Sequence, residues 1–264
     1  MNYEDQDFPD KKSAASVRGT QAIERAARLL REIAGSRSGS CSLAELAGQL
    51  DLERPTAYRI LRRLVVEGLV AQDPATRGYE LGPLLFELGL AVKPPRDLQQ
   101  VTDKVLGHLA HESGDTVFAI VQSGMDSVCI DRREGDYPVK ALMMNPGRRR
   151  PMGIGSGSLA LLAAMPEEKA DQMLETNAAR LSTAGERDIK PLQAKVRRCR
   201  RDGFIAHASA EIPEIHSLGI AVRNSYGTPV LALSISALRF RIESRQDMLI
   251  SLLREAKRTV EGEM

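Results

Sequence analysis

An arginine-rich segment offers the clearest chemistry in this chain of 264 residues. Between residues 54 and 66 the apolar side chains recur at intervals of three and four, which predicts a helix with one buried face. The opposite face carries Arg54, Thr56, Tyr58, Arg59, Arg62 and Arg63. Guanidinium groups pair bidentately with phosphate and with the edge of guanine. This face could therefore contact nucleic acid, with Thr56, Tyr58 and Arg59 nearest the bases and the later arginines on phosphates.

The neighbouring segments give this face a structural context. Periodicity predicts one helix over Thr20–Ala34 and another that begins at Ser42, where Glu45 completes a capping box. After Gly68, the segments LVAQ and YELG predict two short strands around the turn DPATRG. Three helices and a hairpin are typical of a winged helix-turn-helix. A basic face alone is also typical of a solvated helix. In this context we predict DNA binding, with Arg77 of the hairpin tip on phosphate or in the minor groove.

A second group of residues with binding chemistry lies later in the chain. The segment GIGSGS, which begins at Gly153, precedes an apolar helix, and its free N–H groups could hold a carboxylate. Its glycines could equally serve close packing of a loop on a sheet. The basic run at residues 148–150 could draw anions toward this loop or simply be solvated. Ser234 and Ser236 alternate with apolar residues, so both hydroxyls are expected on one side of a strand.

Catalytic and metal chemistry find little support. GIGSGS lacks the lysine of a P-loop and the spacing of a dinucleotide loop, and there is no G-x-S-x-G elbow. His207 lies two residues from Ser209, with no obvious carboxylate to orient it. His108 and His111 could share a helix face but lack further ligands, so we predict no metal and no cofactor. The cysteines are far apart and odd in number, which favours neither disulfides nor zinc: Cys41, Cys129 and Cys199.

The composition and its changes along the chain predict the domain organisation. With 42% apolar residues, a net charge of +2, no signal peptide and no membrane-length apolar run, a cytoplasmic protein is expected. We expect a disordered arm at residues 1–17, a winged helix-turn-helix at 18–82, a linker helix and hinge at 83–96, and an α+β domain at 97–264. In that last domain the segments TVFAIVQS, SVCIDRR, PVKALMM, GFIAHASA, SLGIAVRN and PVLALSIS predict strands. Helices should flank their mixed or antiparallel sheet, ending with one over Glu243–Val260.

The chain resembles IclR-type transcriptional regulators from about Gly19 to Val260. In the first part the resemblance rests on ERAARLLREIA, SLAELAGQLDLERPTAYRILRRLVVEGLV and DPATRGYELGPLLFELG. In the second part it rests on GRRRPMGIGSGSLALLA, RRDGFIAHASAEI and SLGIAVRNSYGTPVLALSIS. It implies a winged helix followed by a GAF-like domain that binds a small effector, often an organic acid of catabolism. It also implies homodimers or tetramers on palindromic double-stranded operators.

The resemblance extends to site residues, with departures. Ser234 and Ser236 match the family's serine pair, whereas Ser217 stands where many members have cysteine and His207 where many have an acidic residue. A histidine there could pair with an anionic ligand or make binding pH-sensitive. The expected effector-binding residues are Gly153, Gly155, Ser156, His207, Ser217, Ser234 and Ser236.

These observations predict a DNA-binding transcriptional regulator that senses a small molecule, and not an enzyme. One alternative is an enzyme for a small acid that uses the helix-turn-helix as a docking module, but the sequence offers no convincing nucleophile and base. Another is a winged helix that binds protein rather than DNA, which the arginines at 54, 59, 62 and 63 disfavour.

Overall fold

A computed structural model describes residues 20–36, 38–91, 98–186 and 188–263. The chain divides between residues 93 and 94 into two compact units, each with its own core. The arm expected at residues 1–17 lies outside the described residues. No helix in the described part of the chain is both long and apolar enough to cross a membrane.

The first unit contains the predicted three helices and hairpin, followed by a fourth helix. Its elements are α1 Gln21–Gly35, α2 Leu43–Gln49, α3 Arg54–Val66, β1 Val70–Gln72, β2 Tyr79–Leu81 and α4 Pro83–Ala91. The capping box is confirmed: the Ser42 hydroxyl accepts from the Glu45 N–H, and the Glu45 carboxylate accepts from the Ser42 N–H. Leu29, Leu46 and Leu61, one from each of the first three helices, are fully buried together. The small core thus depends on the apolar side of each helix.

The second unit is an α+β domain around one six-stranded sheet. Its elements are α5 Leu98–Ser113, β3 Thr116–Ser123, β4 Asp126–Glu134, β5 Arg149–Pro151, α6 Ser156–Ala164, α7 Glu167–Thr183, α8 Ile189–Asp202, β6 Ile205–Ala208, β7 Ile215–Arg223, β8 Pro229–Leu238, α9 Arg239–Ser244 and α10 Gln246–Gly262. The strand order is β5-β4-β3-β8-β7-β6 and every neighbouring pair is antiparallel, so of the two predicted options the sheet is antiparallel rather than mixed.

The central strand β8 separates two environments. Leu233 and Ile235 point to one face of the sheet, where they are fully buried in a core shared with α5 and α10. Ala232 points to the other face and joins the core formed with α6, α7 and α8. Ser234 and Ser236 share that second face, because residues two apart on a strand point the same way. They are buried without belonging to either apolar cluster.

One strand prediction in this unit was wrong, and two further segments differ in detail from what we expected. The segment PVKALMM, residues 138–144, forms a loop, and the three-residue strand β5 pairs with β4 instead. Arg149 and Arg150 of the basic run therefore belong to the sheet. The closing helix is two helices that meet at Arg245, whose φ of −127° interrupts the helical backbone. Both Arg241 and Arg245 bind the buried Asp115 carboxylate from this junction, which fixes the break.

Candidate functional sites: a basic helix face and a serine-lined cavity

The polar face of α3 is turned outward, as its periodicity predicts. Ala57, Leu61 and Leu64 are buried on the inner side of the helix. On the outer side Arg54, Tyr58, Arg59, Arg62 and Arg63 are exposed, and Thr56 is half-buried. Arg63 makes an ion pair with Glu67 that stays largely exposed. The face thus combines side chains suited to bases in the first turns with guanidinium groups along its whole length.

The hairpin turn places Arg77 in a defined conformation. Its φ of 62° is left-handed, and its N–H donates to the carbonyl of Asp73 at 2.8 Å. The Asp73 carboxylate accepts from the N–H groups of Ala75 and Thr76, which lowers the pKa of Asp73. These local bonds stabilise the turn. The Arg77 side chain is exposed, so it can extend from the hairpin tip.

A cavity lies against the second face of the sheet in the second unit. The space in it that is free of protein atoms, its open mouth included, is about 640 Å³. Apolar side chains form part of its wall: Phe118, Ile120, Met143, Met144, Ile154 and Ile215. The two methionines come from the loop at residues 138–144, which we had predicted to be a strand. This segment therefore covers the sheet rather than extending it.

Strand register brings polar residues into one row across the sheet. His207 on β6 pairs with Ser217 on β7, and Ser217 pairs with Ser236 on β8. Directly paired residues point to the same face of a sheet. Ser234, two residues before Ser236, lies beside this row opposite Phe118. The row therefore extends over three strands and forms the floor of the cavity.

The serines of the cavity differ in whether the protein already satisfies them. Ser217 donates to the His207 carbonyl at 3.3 Å, and Ser158 accepts from the Gly153 N–H at 2.6 Å. By contrast, Ser156, Ser234 and Ser236 are at least 95% buried residues that line the cavity. Of the three, the Ser156 hydroxyl is the one that is completely buried and has no hydrogen-bond partner among the described residues. A buried hydroxyl without a partner is costly, so Ser156 favours a polar ligand in the cavity.

The first turn of α6 reaches the cavity because two glycines allow a close approach to the sheet. A Cβ on Gly219 of β7 would lie 2.7 Å from the Ser156 carbonyl oxygen, and one on Gly157 would lie 2.8 Å from a carbon of Ile120. Gly155 has a φ of 81° and begins the helix without a side-chain cap. The N–H groups of the first turn therefore lack a capping side chain and point toward the positive end of the helix dipole.

An arginine of the basic run lies in the cavity wall. Arg150 is 8% exposed and donates to the Met143 carbonyl at 2.8 Å and to the Glu211 carboxylate at 3.1 Å. Arg149 points elsewhere and pairs with Asp126. The alternation along β5 thus turns one guanidinium toward the cavity. If the basic run attracts anions toward the glycine loop, as the sequence suggested, Arg150 is the residue placed to do so.

His207 is held between two charged side chains. Its Nδ1 lies 3.3 Å from the Lys195 Nζ, and its Nε2 lies 3.6 Å from a carboxylate oxygen of Glu186. Burial, together with the charges of Lys195 and His216, lowers the pKa of His207 to about 4. The ring is therefore neutral at pH 7. We hypothesised from the sequence that His207 pairs with an anionic ligand. To do so as a cation it would have to bind a proton, which its burial opposes.

Six of the seven residues expected to bind effector line the cavity, and Gly153 does not. The φ of Gly153 is 116°, and a Cβ there would lie 2.9 Å from Leu174 and 3.0 Å from Leu181. Gly153 therefore serves the packing of its loop on α7. His216 points away from the cavity and toward Glu243, at 3.8 Å. Sequence reasoning missed Arg150 as a wall residue and Glu186 altogether, although Glu186 supplies the carboxylate near His207 that seemed absent.

The other titratable residues form no further site in the described chain. His108 and His111 are both exposed on α5, and no group of three or more His, Cys, Asp or Glu among the described residues could hold a metal. Cys41, Cys129 and Cys199 are buried free thiols. Burial raises the pKa of both Cys129 and Cys199 to about 12, so neither forms a thiolate near neutral pH.

Comparison with known proteins matches both units. The family described as bacterial transcriptional regulator IclR C-terminal matches residues 92–261, and the IclR helix-turn-helix domain matches residues 22–74. Among characterised relatives, the HTH-type transcriptional repressor AllR of Klebsiella pneumoniae is 28% identical over 257 residues, 96% of this chain and 93% of its own length.

Solved structures share the fold. An IclR transcriptional regulator from Alicyclobacillus acidocaldarius aligns with a TM-score of 0.73 at 21% identity, over 91% of this chain and 97% of that one. An IclR homologue from Microbacterium hydrocarbonoxydans, in complex with 4-hydroxybenzoate, aligns with a TM-score of 0.71 at 21% identity, over 91% and 98% of the two chains. At this identity the likeness concerns the fold.

Proposed function

Because the chain belongs to the IclR family of bacterial transcriptional regulators, we propose how its two units act. The protein is a DNA-binding regulator with an effector-binding C-terminal domain, rather than an enzyme. The outer face of α3 contacts the major groove of an operator, and Arg77 contacts the neighbouring backbone or minor groove. The chain works as a homodimer or tetramer on a palindromic site, in the bacterial cytoplasm where that DNA lies.

The effector is a small organic acid that binds in the cavity of the second unit. The observation that carries this proposal is the completely buried, unpartnered hydroxyl of Ser156, in a cavity that Ser234 and Ser236 also line. A carboxylate has about four acceptor sites, which these hydroxyls, the N–H groups at the start of α6 and Arg150 can share among them. The apolar wall around Phe118 would cover the rest of the molecule. The 4-hydroxybenzoate in the homologue is an acid of this general kind.

The DNA-binding half is tested on the intergenic DNA next to the protein's own gene. Specific binding with an affinity that falls steeply as salt rises is expected, because arginine–phosphate contacts release counterions. Arg59→Ala should weaken binding to the site, whereas Arg31→Ala, which removes an exposed arginine from α1 of the same unit, should leave it nearly unchanged. Equal loss in both variants would argue against a specific α3 contact.

The effector half is tested by calorimetry with a panel of small carboxylic acids. An acid that binds the full-length protein and changes its affinity for DNA is expected. The double change Ser234→Ala and Ser236→Ala should abolish that binding with little loss of thermal stability, since the hydroxyls bond to no described part of the protein. Unchanged acid binding in this variant would place the effector elsewhere.

A further inference from the structure

One carboxylate of the cavity wall, Glu186, makes no ion pair with a lysine or arginine of the described residues, none of which lies within 4 Å of it. Its side chain is 15% exposed. The other cavity carboxylate, Glu211, is paired with Arg150. We propose that Glu186 determines effector specificity: together with His207 it selects acids that carry a hydroxyl group and rejects those with a second carboxylate. This inference rests on the proposed effector site.

The backbone fixes where Glu186 points. It follows the end of α7, and its N–H donates to the Leu181 carbonyl at 3.0 Å. Gly185, with a φ of 95°, makes the turn that precedes it. The side chain then reaches the cavity beside His207, which comes from a strand 21 positions later in the sequence. Both groups therefore belong to the cavity wall.

Lys195 sets the proton on the imidazole. An ammonium group can only donate, so the Nδ1 lone pair of His207 accepts from Lys195 and the ring proton lies on Nε2, which faces Glu186. The separation of 3.6 Å from Nε2 to the carboxylate oxygen is too long for a hydrogen bond. A donor and an acceptor therefore stand side by side, each with bonding capacity left for a third group.

A hydroxyl group matches this pair. Its proton can go to the Glu186 carboxylate while its oxygen accepts from the His207 N–H, which satisfies both groups at once. A methyl group would leave both unsatisfied, and sites built to bond a hydroxyl reject such analogues strongly. A second carboxylate would accept from His207 but would repel Glu186 in a largely buried place. The geometry thus favours hydroxycarboxylic acids over both kinds of analogue.

The proposal is tested with two matched series on the full-length protein: 4-hydroxybutyrate, succinate and butyrate, and 4-hydroxybenzoate, terephthalate and benzoate. In at least one series the hydroxy acid should bind about tenfold or more tightly than the other two. Glu186→Gln should bring the affinities of hydroxy acid and dicarboxylate to within about threefold, because the repulsion is gone. Glu175→Gln, an exposed charge-matched change on α7, should keep the original ratio.

Failures of the two levels of the argument are distinguishable. A dicarboxylate that binds as tightly as its hydroxy acid, or a ratio that Glu186→Gln leaves unchanged, overturns the role of Glu186 while the effector site stands. Absence of binding by all six acids, with specific DNA binding intact, overturns the proposed effector class and this inference with it. Glu211→Gln separates the two cavity carboxylates: by releasing Arg150 it should strengthen all the acids that bind without changing their order.

Discussion

Each unit contains an element with one apolar and one polar face, but the polar face is exposed in the first unit and enclosed in the second. In the first unit, α3 buries Leu61 and turns Arg59 toward solvent. In the second unit, β8 buries Leu233 on one face, while Ser234, on the other face, is buried against an empty space. Polar side chains that point outward can meet a polymer, whereas polar side chains enclosed without partners can be satisfied only by a molecule small enough to enter. The two units thus differ less in residue composition than in the direction in which their polar side chains point.

The apolar halves should carry the stability of both units. We expect Leu233→Ala to lower the free energy of unfolding of the second unit by about 2–5 kcal/mol, because it removes a fully buried side chain from a packed core. Leu61→Ala should do the same for the first unit. Chemical denaturation of the full chain measures both. A loss of unfolding free energy below about 1 kcal/mol at either position would contradict the view that these apolar faces stabilise the two units.

The enclosed histidine should make the second unit sensitive to acid. Burial holds the pKa of His207 near 4, and an unfolded histidine titrates near 6.5, so between these values the unfolded chain binds the extra proton. Stability should therefore be flat above pH 7 and fall by up to about 3 kcal/mol as pH decreases from 6.5 to 4. His207→Gln should remove this share of the slope in pH-dependent thermal unfolding, and His108→Gln, an exposed histidine on α5, should not.

The outward arginines should affect binding without affecting folding. Arg59→Ala is expected to weaken operator binding roughly 10- to 100-fold, as for loss of one base contact, with the unfolding free energy nearly unchanged. Arg63→Ala should cost less and act equally on all DNA sequences, since a phosphate contact carries no sequence information. Fluorescence anisotropy on specific and scrambled duplexes distinguishes the two. Equal effects on both duplexes for Arg59 would reassign it to the backbone.

The smallest expected change in stability is for the substitution of a single serine of the cavity. Ser234→Ala should change the unfolding free energy by less than about 1 kcal/mol, because its hydroxyl bonds to no described residue, yet it should weaken effector binding. Ser217→Ala is the matched comparison, since the Ser217 hydroxyl already donates to the His207 carbonyl. Thermal shift with and without the acid reports both quantities. A larger stability loss at Ser234 than at Ser217 would contradict the distinction between the two serines.

The parts of the fold that sequence could predict are those with local signals. The capping box at Ser42, the periodicity of α3 and the alternation along β8 each depend on residues a few positions apart. The segment at 138–144 has strand-like composition, but a strand also needs a partner, and β5 occupies the edge of β4. Such competition for a sheet edge involves segments that no local pattern connects.

The candidate site shows the same limit more sharply. Ser234 and Ser236 were found by spacing, and the family resemblance suggested His207. Glu186 lies in the polar segment STAGERD, where an acidic residue gives no signal of a binding site. Its approach to His207 results from where α7 ends before it and from the path of α8, which lies between the two residues in the sequence. The position of Gly153 outside the cavity lining has a related reason: the packing of its loop on Leu174 and Leu181 cannot be seen from the motif.

The alternation along β8 also bears on how such a sensor can change over generations. Leu233 and Ile235 pack the sheet against α5 and α10, while Ser234 and Ser236 face the cavity. Alternate residues of one short strand therefore contribute to two separate properties, the packing of the domain and the lining of the cavity. If the effector binds where we propose, substitutions at Ser234 and Ser236 would change which ligand binds, while Leu233 and Ile235 keep the domain folded. Single substitutions at these serines would then shift the protein from one ligand to another without loss of the fold.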